Sequence, residues 1–368
     1  MTHPNCHAGD PVATLDTPAL VVDLDALERN IATLAAFARE RKLRLRPHAK
    51  MHKCAAVARL QLQAGAVGLC VQKTSEAEAL AAAGIDNLYI SNEVIDPTKL
   101  ARVAALARRV KLAIAVDSLL GVQRLAAALR AADSTVDVFV EIDVGQGRCG
   151  VAPEQAGALA AALRAAGLRF AGLQAYQGKA QHLRSPAERA AAIEQAAAAV
   201  RTALASLERL GLSCPLVTGA GTGSFVHEVA SGLWGELQCG SYAFMDRDYA
   251  DNERDADAPR FEQALFVKSQ VISRGAEHAV LDAGHKSHAI DSGLPRVWGR
   301  DWSVQNGGDE HCILRGAGLP PLGETVWLVP GHCDPTVNLH AQLIAVRGGL
   351  ERGVVEAVWP VNARGCVS

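Results

Sequence analysis

A regular alternation of short apolar runs with alanine-rich helical runs constrains the fold more than any other feature. Eight apolar runs are typical of β-strands: Leu43–His48, Val67–Val71, Asn87–Ser91, Leu112–Val116, Val136–Asp143, Phe170–Tyr176, Leu216–Gly219 and Glu236–Tyr242. Six spacers predict helices: Cys54–Gly65, Ser75–Gly84, Pro97–Arg108, Ser118–Ala131, Pro153–Gly167 and Ala187–Gly211. The spacer between the last two runs is short and has no clear helical pattern. Strands that are apolar throughout are buried on both faces, as in parallel sheets covered by helices. We therefore predict an α/β fold with a closed (β/α)8 barrel of the TIM type. A doubly wound open sheet is the alternative, because periodicity does not show closure.

The pattern changes after about residue 255. Runs of Val and Leu then alternate with Gly, Pro and Asp, which predicts a mostly antiparallel β domain. Its strand-like runs are Ala264–Ser273, His278–Asp282, Thr325–Val329, Gln342–Arg347 and Val354–Val361. A length of 368 residues suits one barrel and a second domain. We predict a barrel over residues 24–255 and a β domain over residues 256–368, which the strand near residues 19–23 joins.

Composition excludes several classes of function. The formal net charge is −2, which gives no basic footprint for nucleic acid or an anionic membrane. No apolar run approaches the roughly 20 residues of a membrane helix. The nine cysteines are scattered singly, which favours a reducing compartment. The first six residues contain neither a basic nor an apolar region, so no signal peptide is predicted and we expect a cytoplasmic protein.

Polar residues follow most of the eight strand-like runs. They are His48, Lys50, Gln72, Asn92, Asp117, Asp143, Arg148, Gln174, Tyr176 and His182. In an α/β barrel the functional groups lie on the loops after the carboxyl ends of the strands. Packing alone does not explain polar residues at so many of these ends, so the pattern predicts a site there.

Lys50 lies in the basic stretch Arg44–Lys53, at the end of the first barrel strand. His48, His52 and the nearby Arg46 are groups that would lower its pKa. A lysine with a lowered pKa can be neutral and can form a Schiff base with an aldehyde cofactor. The ordinary alternative is a solvated surface lysine. Lys53 could also take the role, and position alone does not decide.

A glycine-rich stretch, Gly219–Ser224, follows the seventh strand-like run. Its glycines allow backbone N–H groups to approach an anion closely. It lacks the Walker lysine and the dinucleotide spacing, and a tight turn is the alternative. Barrel enzymes often bind phosphate after strands seven and eight, where Gly240, Ser241 and Tyr242 supply a second segment. A lysine together with a phosphate site suggests pyridoxal 5′-phosphate (PLP).

A third cluster, His332-Cys333-Asp334, lies in the predicted β domain. If the segment is extended, His332 and Asp334 point to the same face and Cys333 to the other. Imidazole and carboxylate ligands suit Mn²⁺ or Mg²⁺ better than Zn²⁺, which a cysteine in the third position would favour. A loop cap or an ion pair is the alternative. Asp309-Glu310-His311 could support the metal ligands or form a polar turn.

Several motifs together resemble the D-threonine aldolase / D-serine dehydratase-like family of fold-type III, alanine-racemase-like PLP enzymes. They are RPHAK (46–50), DVGQGRCG (143–150), GLQAY (172–176), GAGTGS (219–224), ELQCGSYAFMD (236–246) and HCDPTVNLH (332–340). The resemblance runs in order from about Thr17 to Gly365. It implies a PLP-binding barrel, a C-terminal β domain, a homodimer and a divalent metal beside the cofactor.

The resemblance also implies roles for single residues. Lys50 matches the Schiff-base lysine, which favours it over Lys53, and His182 matches the catalytic base. Arg148 and Tyr176 match residues that line the pyridoxal ring. The residues that match the phosphate site are Gly221, Thr222, Gly240, Ser241 and Tyr242. The residues that match the metal ligands are His332 and Asp334.

The metal motif distinguishes the branches of this family. The dehydratases resemble HxC with zinc, whereas the aldolases resemble HxD with manganese or magnesium. This chain has HxD and so resembles the aldolase branch, which includes 3-hydroxy-D-aspartate aldolase. DSGLP (291–295) and VWPVNARG (358–365) are closer to that enzyme, whereas His285 stands where the family leads us to expect an apolar residue.

The implied reaction is retro-aldol cleavage of a small β-hydroxy D-amino acid, D-threonine or 3-hydroxy-D-aspartate. Its products are glycine and an aldehyde, acetaldehyde or glyoxylate. A dehydratase of the same family and an amino-acid racemase are the alternatives. A non-catalytic PLP-binding barrel would lack the β domain and the metal motif.

Overall fold

The structure is a computed structural model that describes residues 6–368, so most of the segment in which no signal peptide is predicted lies outside it. A 3₁₀ turn (Val12–Thr14) precedes the first strand, β1 (Ala19–Asp23), which leads into helix α1 (Leu24–Glu40). Eight strands then form one sheet: β2 (Arg44–Leu45), β3 (Leu69–Val71), β4 (Asn87–Glu93), β5 (Lys111–Val116), β6 (Asp137–Glu141), β7 (Arg169–Ala175), β8 (Val217–Gly219) and β9 (Glu236–Leu237). The helices among and after them are α2 (Ala55–Gln63), α3 (Thr74–Ala82), α4 (Pro97–Leu106), α5 (Leu119–Ala132), α6 (Ala156–Ala165), α7 (Pro186–Glu208), α8 (Phe225–Ala230) and α9 (Arg247–Ala250).

The eight strands are parallel and form a ring. Their order is β2-β9-β8-β7-β6-β5-β4-β3. Strand β2 and the residues that follow it complete the ring against β3 and the residues before it, since Val67 N donates to Leu45 O at 2.8 Å and Cys70 N donates to Pro47 O at 2.9 Å. The predicted barrel, as opposed to an open sheet, is thereby confirmed.

The inside of the barrel is filled by side chains from alternating strand positions. The Tyr89 and Phe139 rings pack with centroids 4.8 Å apart. Near the ring closure, Arg46 is buried and its Nε lies 3.1 Å from Glu236 Oε1, which also accepts from Thr218 Oγ1 at 2.9 Å. A buried guanidinium needs such a partner. Arg46 is therefore part of the barrel core.

Helix α7 begins at a strong sequence signal directly after the loop that contains His182. The Ser185 hydroxyl accepts from Glu188 N, the Glu188 carboxylate accepts from Ser185 N, and Pro186 occupies the first turn. This capping box satisfies N–H groups that a helix start leaves free. It fixes where the loop after β7 ends and the helix starts.

The second sheet is mostly antiparallel. Its further strands are β10 (Leu265–Arg274), β11 (Ala279–Leu281), β12 (Arg296–Val297), β13 (Ser303–Asn306), β14 (Cys312–Arg315), β15 (Thr325–Val329), β16 (Gln342–Arg347) and β17 (Val354–Pro360), with helix α10 (Cys333–Leu339) between β15 and β16. β1 lies between β10, to which it is antiparallel, and β16, to which it is parallel. The predicted strand at residues 19–23 thus lies in this sheet, while the domain boundary at residue 255 stays a prediction.

Three details differ from the sequence prediction. The runs at 43–48 and 236–242 form strands of only two residues, because the chain leaves the sheet to build loops. The short spacer between the last two strand-like runs contains a helix, α8. The metal motif is not extended, since Asp334 lies in the first turn of α10 and only His332, its N-cap, has an extended backbone. Within residues 6–368, no helix is long and apolar enough to cross a membrane.

Candidate active site

A cavity of about 370 Å³ lies at the carboxyl ends of the barrel strands. Its lining includes these residues that the sequence predicts: His48, Lys50, Gln72, Arg148, Gln174, Tyr176, His182, Gly221, Thr222, Gly240 and Ser241. Its lining also includes residues that the sequence analysis missed: Met51, Ser91, Gln146, Gly178, Lys179, Ala220, Gln238 and Tyr249. Most of the predicted side chains therefore converge on one place, as the barrel rule requires.

Three of the polar residues predicted at the strand ends do not line the cavity but stabilise loops around it. Asn92 Nδ2 donates to Gln72 O at 3.0 Å, and Asp117 accepts from Gly150 N at 3.2 Å. Asp143 accepts from two N–H groups of its own loop, at 2.9 and 3.0 Å. These contacts hold the rim of the cavity in shape.

Lys50 lies beside the predicted metal motif. Its Nζ contacts the carboxylate of Asp334, 284 positions later in the chain. Burial acts to lower the pKa of Lys50, but the charge of Asp334 outweighs it and raises that pKa. The predicted lowering is therefore wrong, because the basic neighbours in sequence matter less than this distant carboxylate. His48 is buried, and burial together with the Lys50 charge keeps its pKa well below the usual range.

Lys53, the other candidate for the cofactor lysine, forms contacts that stabilise the fold. It is buried, its Nζ lies 2.7 Å from Glu76 Oε1, and it donates to the carbonyl oxygens of Ala363 and Cys366. Of the two candidate lysines, only Lys50 lines the cavity. The geometry favours Lys50 as the cofactor lysine.

The glycine-rich loops form a cradle of free backbone N–H groups. Within residues 6–368, the N–H groups of Gly221, Thr222 and Gly240 have no acceptor. Ala220 has a φ of 70°, which costs energy for a residue with a side chain and is typical of functional loops. A Cβ on Gly240 would lie 3.0 Å from His48 O. Free donors at a narrow, backbone-lined place fit an anion such as the PLP phosphate.

A buried polar chain supports this cradle from behind. Gln181 Oε1 accepts from Gly223 N at 2.9 Å, and a Cβ on Gly221 would lie 2.3 Å from the same oxygen. Gln181 Nε2 donates to Ser224 Oγ at 2.6 Å, which donates to Glu228 Oε1 at 2.8 Å. Glu228 is buried, and burial raises its pKa to about 7.

Tyr242 differs from the other predicted phosphate residues. Its ring is buried against Phe261, with centroids 5.5 Å apart, and its hydroxyl accepts from Gln61 Nε2 at 3.2 Å. Its backbone N–H donates to Thr222 Oγ1 at 2.9 Å. The Tyr242 side chain thus does not line the cavity, and its contribution is to hold Thr222.

Arg148 and Tyr176 lie together on the cavity wall. The Arg148 guanidinium carbon is 5.7 Å from the Tyr176 ring centroid. Arg148 Nη2 is 3.8 Å from Glu141 Oε1, and burial together with the charge of Glu93 raises the pKa of Glu141 to about 9. Arg148 and Tyr176 thus offer a cation and an aromatic ring on the cavity wall. The family resemblance predicts that these two residues line the pyridoxal ring.

His182 is oriented by a carboxylate that the sequence analysis did not identify. Its Nδ1 lies 2.5 Å from Asp248 Oδ2, and Arg184 also contacts Asp248. The Tyr249 ring lies 5.7 Å from the imidazole. An imidazole whose Nδ1–H donates to a carboxylate presents a basic Nε2, which is the arrangement of a general base.

His332 and Asp334 come together although the motif is not extended. His332 Nε2 lies 3.8 Å from Asp334 Oδ1, and His332 Nδ1 lies 2.7 Å from Asp291 Oδ2. A carboxylate on Nδ1 directs Nε2 toward a metal. Cys333 is fully buried, and burial raises the pKa of its thiol well above the usual range. The donor set is therefore one imidazole and one carboxylate, which fits a fairly hard divalent cation.

Asp309-Glu310-His311 is a polar turn on the surface. Asp309 Oδ1 lies 2.8 Å from His285 Nε2, and Glu310 Oε1 lies 2.8 Å from Lys286 Nζ. These pairs also explain a polar residue at position 285. Within residues 6–368, none of this turn contacts His332 or Asp334.

The chain matches known families along most of its length. Residues 22–248 match the alanine racemase N-terminal domain, and residues 264–346 match a putative serine dehydratase domain. The chain is 45% identical over 370 residues to a D-threonine aldolase from Arthrobacter sp, covering 98% of this chain and 96% of that protein. It is 44% identical over 363 residues to 3-hydroxy-D-aspartate aldolase from Paracoccus denitrificans (strain Pd 1222), covering 95% and 92%.

A solved structure gives the same result. D-threonine aldolase from Filomicrobium marinum superposes with a TM-score of 0.96 at 49% identity, covering 99% of this chain and 100% of that one. A D-threo-3-hydroxyaspartate dehydratase from Delftia sp. (strain HT23) is more distant, at 34% identity over 84% of this chain and 81% of that protein. The chain therefore belongs to the alanine-racemase-like family of D-threonine aldolases and 3-hydroxy-D-aspartate aldolases, as its motifs predict.

Proposed function

We propose that the protein is a lyase that cleaves a β-hydroxy D-amino acid into glycine and an aldehyde, with PLP and a divalent metal as cofactors. The observation that carries the proposal is the contact between Lys50 and Asp334. The contact supports a cofactor bound at Lys50 next to a metal at the HxD pair, and the cavity that Lys50 lines also includes the glycine-rich cradle proposed for the phosphate. When bound, PLP supplies an electron sink for the carbanion left at Cα, and the metal supplies a Lewis acid for the β-hydroxyl oxygen.

The cavity residues divide the binding of the cofactor among them. Lys50 would hold it covalently, and the free N–H groups of Gly221, Thr222 and Gly240 would hold its phosphate. Ser241 also lines the cavity next to Gly240, and Arg148 would face the ring beside Tyr176. Each of these groups lies on a loop at the carboxyl end of a barrel strand. Because the barrel holds these loops in place, cofactor binding costs little conformational entropy.

His332 and Asp334 would hold the metal, with Asp291 orienting the imidazole. One nitrogen and one oxygen ligand favour Mn²⁺ or Mg²⁺ over Zn²⁺. The buried Cys333 thiol stays protonated and is a poor ligand.

His182 would take the proton of the substrate hydroxyl. Loss of that proton drives cleavage of the Cα–Cβ bond, because the electron pair of the O–H bond becomes the carbonyl π bond of the departing aldehyde. Asp248 stabilises the imidazolium that forms, since its carboxylate lies 2.5 Å from Nδ1. This pairing supports a base at the hydroxyl, whereas a dehydratase must release the hydroxyl with a proton added.

Product analysis tests the reaction directly. The protein loaded with PLP and Mn²⁺ is incubated separately with D-threonine and with 3-hydroxy-D-aspartate. Glycine with acetaldehyde or glyoxylate is expected. Ammonia with a keto acid would identify a dehydratase, and inversion of the amino acid without cleavage would identify a racemase.

Two variants test the cofactor assignments. Lys50→Ala should lose the visible absorbance of the lysine–PLP linkage, and retention of that absorbance would contradict the role of Lys50. Asp334→Asn should bind less Mn²⁺ at equilibrium, whereas Asp309→Asn on the surface turn should bind as much as the wild type. Removal of metal with EDTA should stop turnover, and Mn²⁺ should restore it.

We also propose a homodimer, which the family resemblance supports, and a cytoplasmic location, which the singly scattered cysteines support. Sedimentation equilibrium of the loaded protein would measure the first property. A monomer at all concentrations would contradict it.

A further inference from the structure

Lys179 is a cation on the cavity lining that has no anionic partner. Within residues 6–368, its Nζ forms neither a hydrogen bond nor an ion pair. Of the other lysine and arginine on the lining, Lys50 contacts Asp334, and Arg148 lies against the Tyr176 ring, where the proposed function puts the cofactor. Lys179 therefore leaves one positive charge for a bound molecule.

The backbone of Lys179 is held firmly although its side chain is exposed. Lys179 N donates to Gln177 Oε1 at 3.2 Å, and the preceding residue, Gly178, donates its N–H to Gln146 Oε1 at 3.1 Å. A Cβ on Gly178 would lie 2.4 Å from Gln146 Nε2, so the two loops meet there without space for a side chain. Gln177 Nε2 in turn donates to Val144 O at 3.2 Å. Hydrogen bonds thus fix the backbone at Lys179, while its side chain is exposed.

Lys179 and His182 share one face of a short helix. Residues Lys179–His182 form a single 3₁₀ turn, in which the side chains at positions i and i+3 are eclipsed. Both residues line the cavity. A molecule whose hydroxyl reaches His182 therefore places the neighbouring substituents of the same carbon within reach of Lys179.

We propose that Lys179 binds a carboxylate on Cβ of the substrate, which makes 3-hydroxy-D-aspartate the preferred substrate over D-threonine. The inference rests on the proposed function, because it takes the hydroxyl on Cβ to be the group at His182. The third substituent of that carbon is a carboxylate in 3-hydroxy-D-aspartate and a methyl group in D-threonine. An unpaired ammonium can donate a charge-assisted hydrogen bond to the carboxylate, whereas it forms no such bond with the methyl group. Overall identities of 45% and 44% to the two kinds of aldolase do not distinguish them.

Equilibrium binding tests the proposal without any cleavage. D-Aspartate and D-2-aminobutyrate are the two substrates without their hydroxyl groups, so neither can undergo the retro-aldol reaction. Both are titrated into the PLP-loaded protein, and the change in cofactor absorbance gives the dissociation constants. The variants are Lys179→Met, which removes the charge, and Lys179→Arg, which keeps it. Lys111→Met, an exposed lysine at the opposite end of the barrel on β5, is the control.

The wild type should bind D-aspartate more tightly than D-2-aminobutyrate. Lys179→Met should weaken the binding of D-aspartate about tenfold, because one partly exposed charge-assisted hydrogen bond is lost. The affinity for D-2-aminobutyrate should not change. Lys179→Arg should retain most of the preference. Equal weakening of both ligands would overturn the proposal, because it would place Lys179 at the α-carboxylate. No change with either ligand would identify a solvated lysine and would also overturn it.

The kinetic ratio provides the second measurement. The ratio of kcat/KM for 3-hydroxy-D-aspartate to kcat/KM for D-threonine should fall about tenfold in Lys179→Met, mainly through KM. If the wild type cleaves neither amino acid, the proposed function fails, while the binding preference still decides the role of Lys179. If the wild type prefers D-threonine in both measurements, the inference fails and the proposed function stands.

Discussion

Glu228 should make the stability of the protein depend on pH. Its side chain is buried behind the glycine-rich cradle, with 1% of the residue exposed. Oε1 accepts from Ser224 Oγ at 2.8 Å, but Oε2 has no partner within residues 6–368. Burial raises the pKa of Glu228 from 4.5 to about 7, although the Ser224 hydrogen bond acts to lower it. The folded protein therefore keeps a proton that the unfolded chain has already lost.

The difference in the pKa of Glu228 between the folded and unfolded states sets the direction and the size of the change in stability with pH. Below pH 4.5 both states carry the proton, so Glu228 costs nothing. As the pH rises toward about 7, the unfolded state binds fewer protons and the free energy of unfolding falls. Each pH unit in this window corresponds to about 1.4 kcal/mol. The full loss, reached above the pKa of the folded state, is about 3 kcal/mol.

Glu228→Gln removes the titrating group and keeps its shape. Urea unfolding, followed by tryptophan fluorescence at matched PLP concentration, gives the free energies for both proteins. The variant should gain about 2 to 3 kcal/mol relative to wild type between about pH 5 and about pH 8. Glu194→Gln, an exposed glutamate on α7, controls for the change in charge. A constant difference between wild type and Glu228→Gln over this range would refute the reasoning.

Two further predictions concern carboxylates that orient imidazoles. Asp291→Asn should weaken Mn²⁺ binding about 10- to 100-fold, because the carboxylate at 2.7 Å fixes the His332 ring; an unchanged dissociation constant would contradict this role. Asp248→Asn should lower kcat at least about 100-fold with little change in KM, because the His182 imidazolium loses its stabilising charge. The same loss of kcat in His182→Ala and in the double variant is expected, and additive losses would indicate separate roles.

The barrel could be predicted from the sequence because its signals are local. Each strand is a short apolar run and each helix an alanine-rich run, so eight parallel strands were found where eight runs were predicted. Strands β12, β13 and β14 were missed. β13, for example, has mostly exposed residues and is held by its antiparallel pairing with β14. Such pairing is a property of the folded sheet and leaves no clear period in the sequence.

In the candidate site too, the residues with a local signal in the sequence could be predicted, and those that depend on folded contacts could not. Residues at strand ends and in glycine-rich loops, such as His48 and Gly221, were predicted because the barrel brings all strand ends to one rim. Asp248 and Asp291 were missed as functional residues, since each acts on a histidine that lies 66 or 41 positions away in the chain. No spacing rule connects such residues, and only the folded contact identifies them.

The pKa of Lys50 shows most directly why distance in space decides the chemistry. Its basic neighbours in sequence suggest a lowered pKa, but Arg46 is paired with Glu236, and burial keeps His48 uncharged at neutral pH. Neither of them outweighs the carboxylate of Asp334, which contacts Nζ directly and raises the pKa. A lysine held in this way stays charged, so neutral Lys50 requires that Asp334 be engaged by another cation. Two proposed sites that appear separate in the sequence, the cofactor lysine and the metal pair, are therefore coupled through one carboxylate, and metal binding at Asp334 should raise the affinity of the protein for PLP.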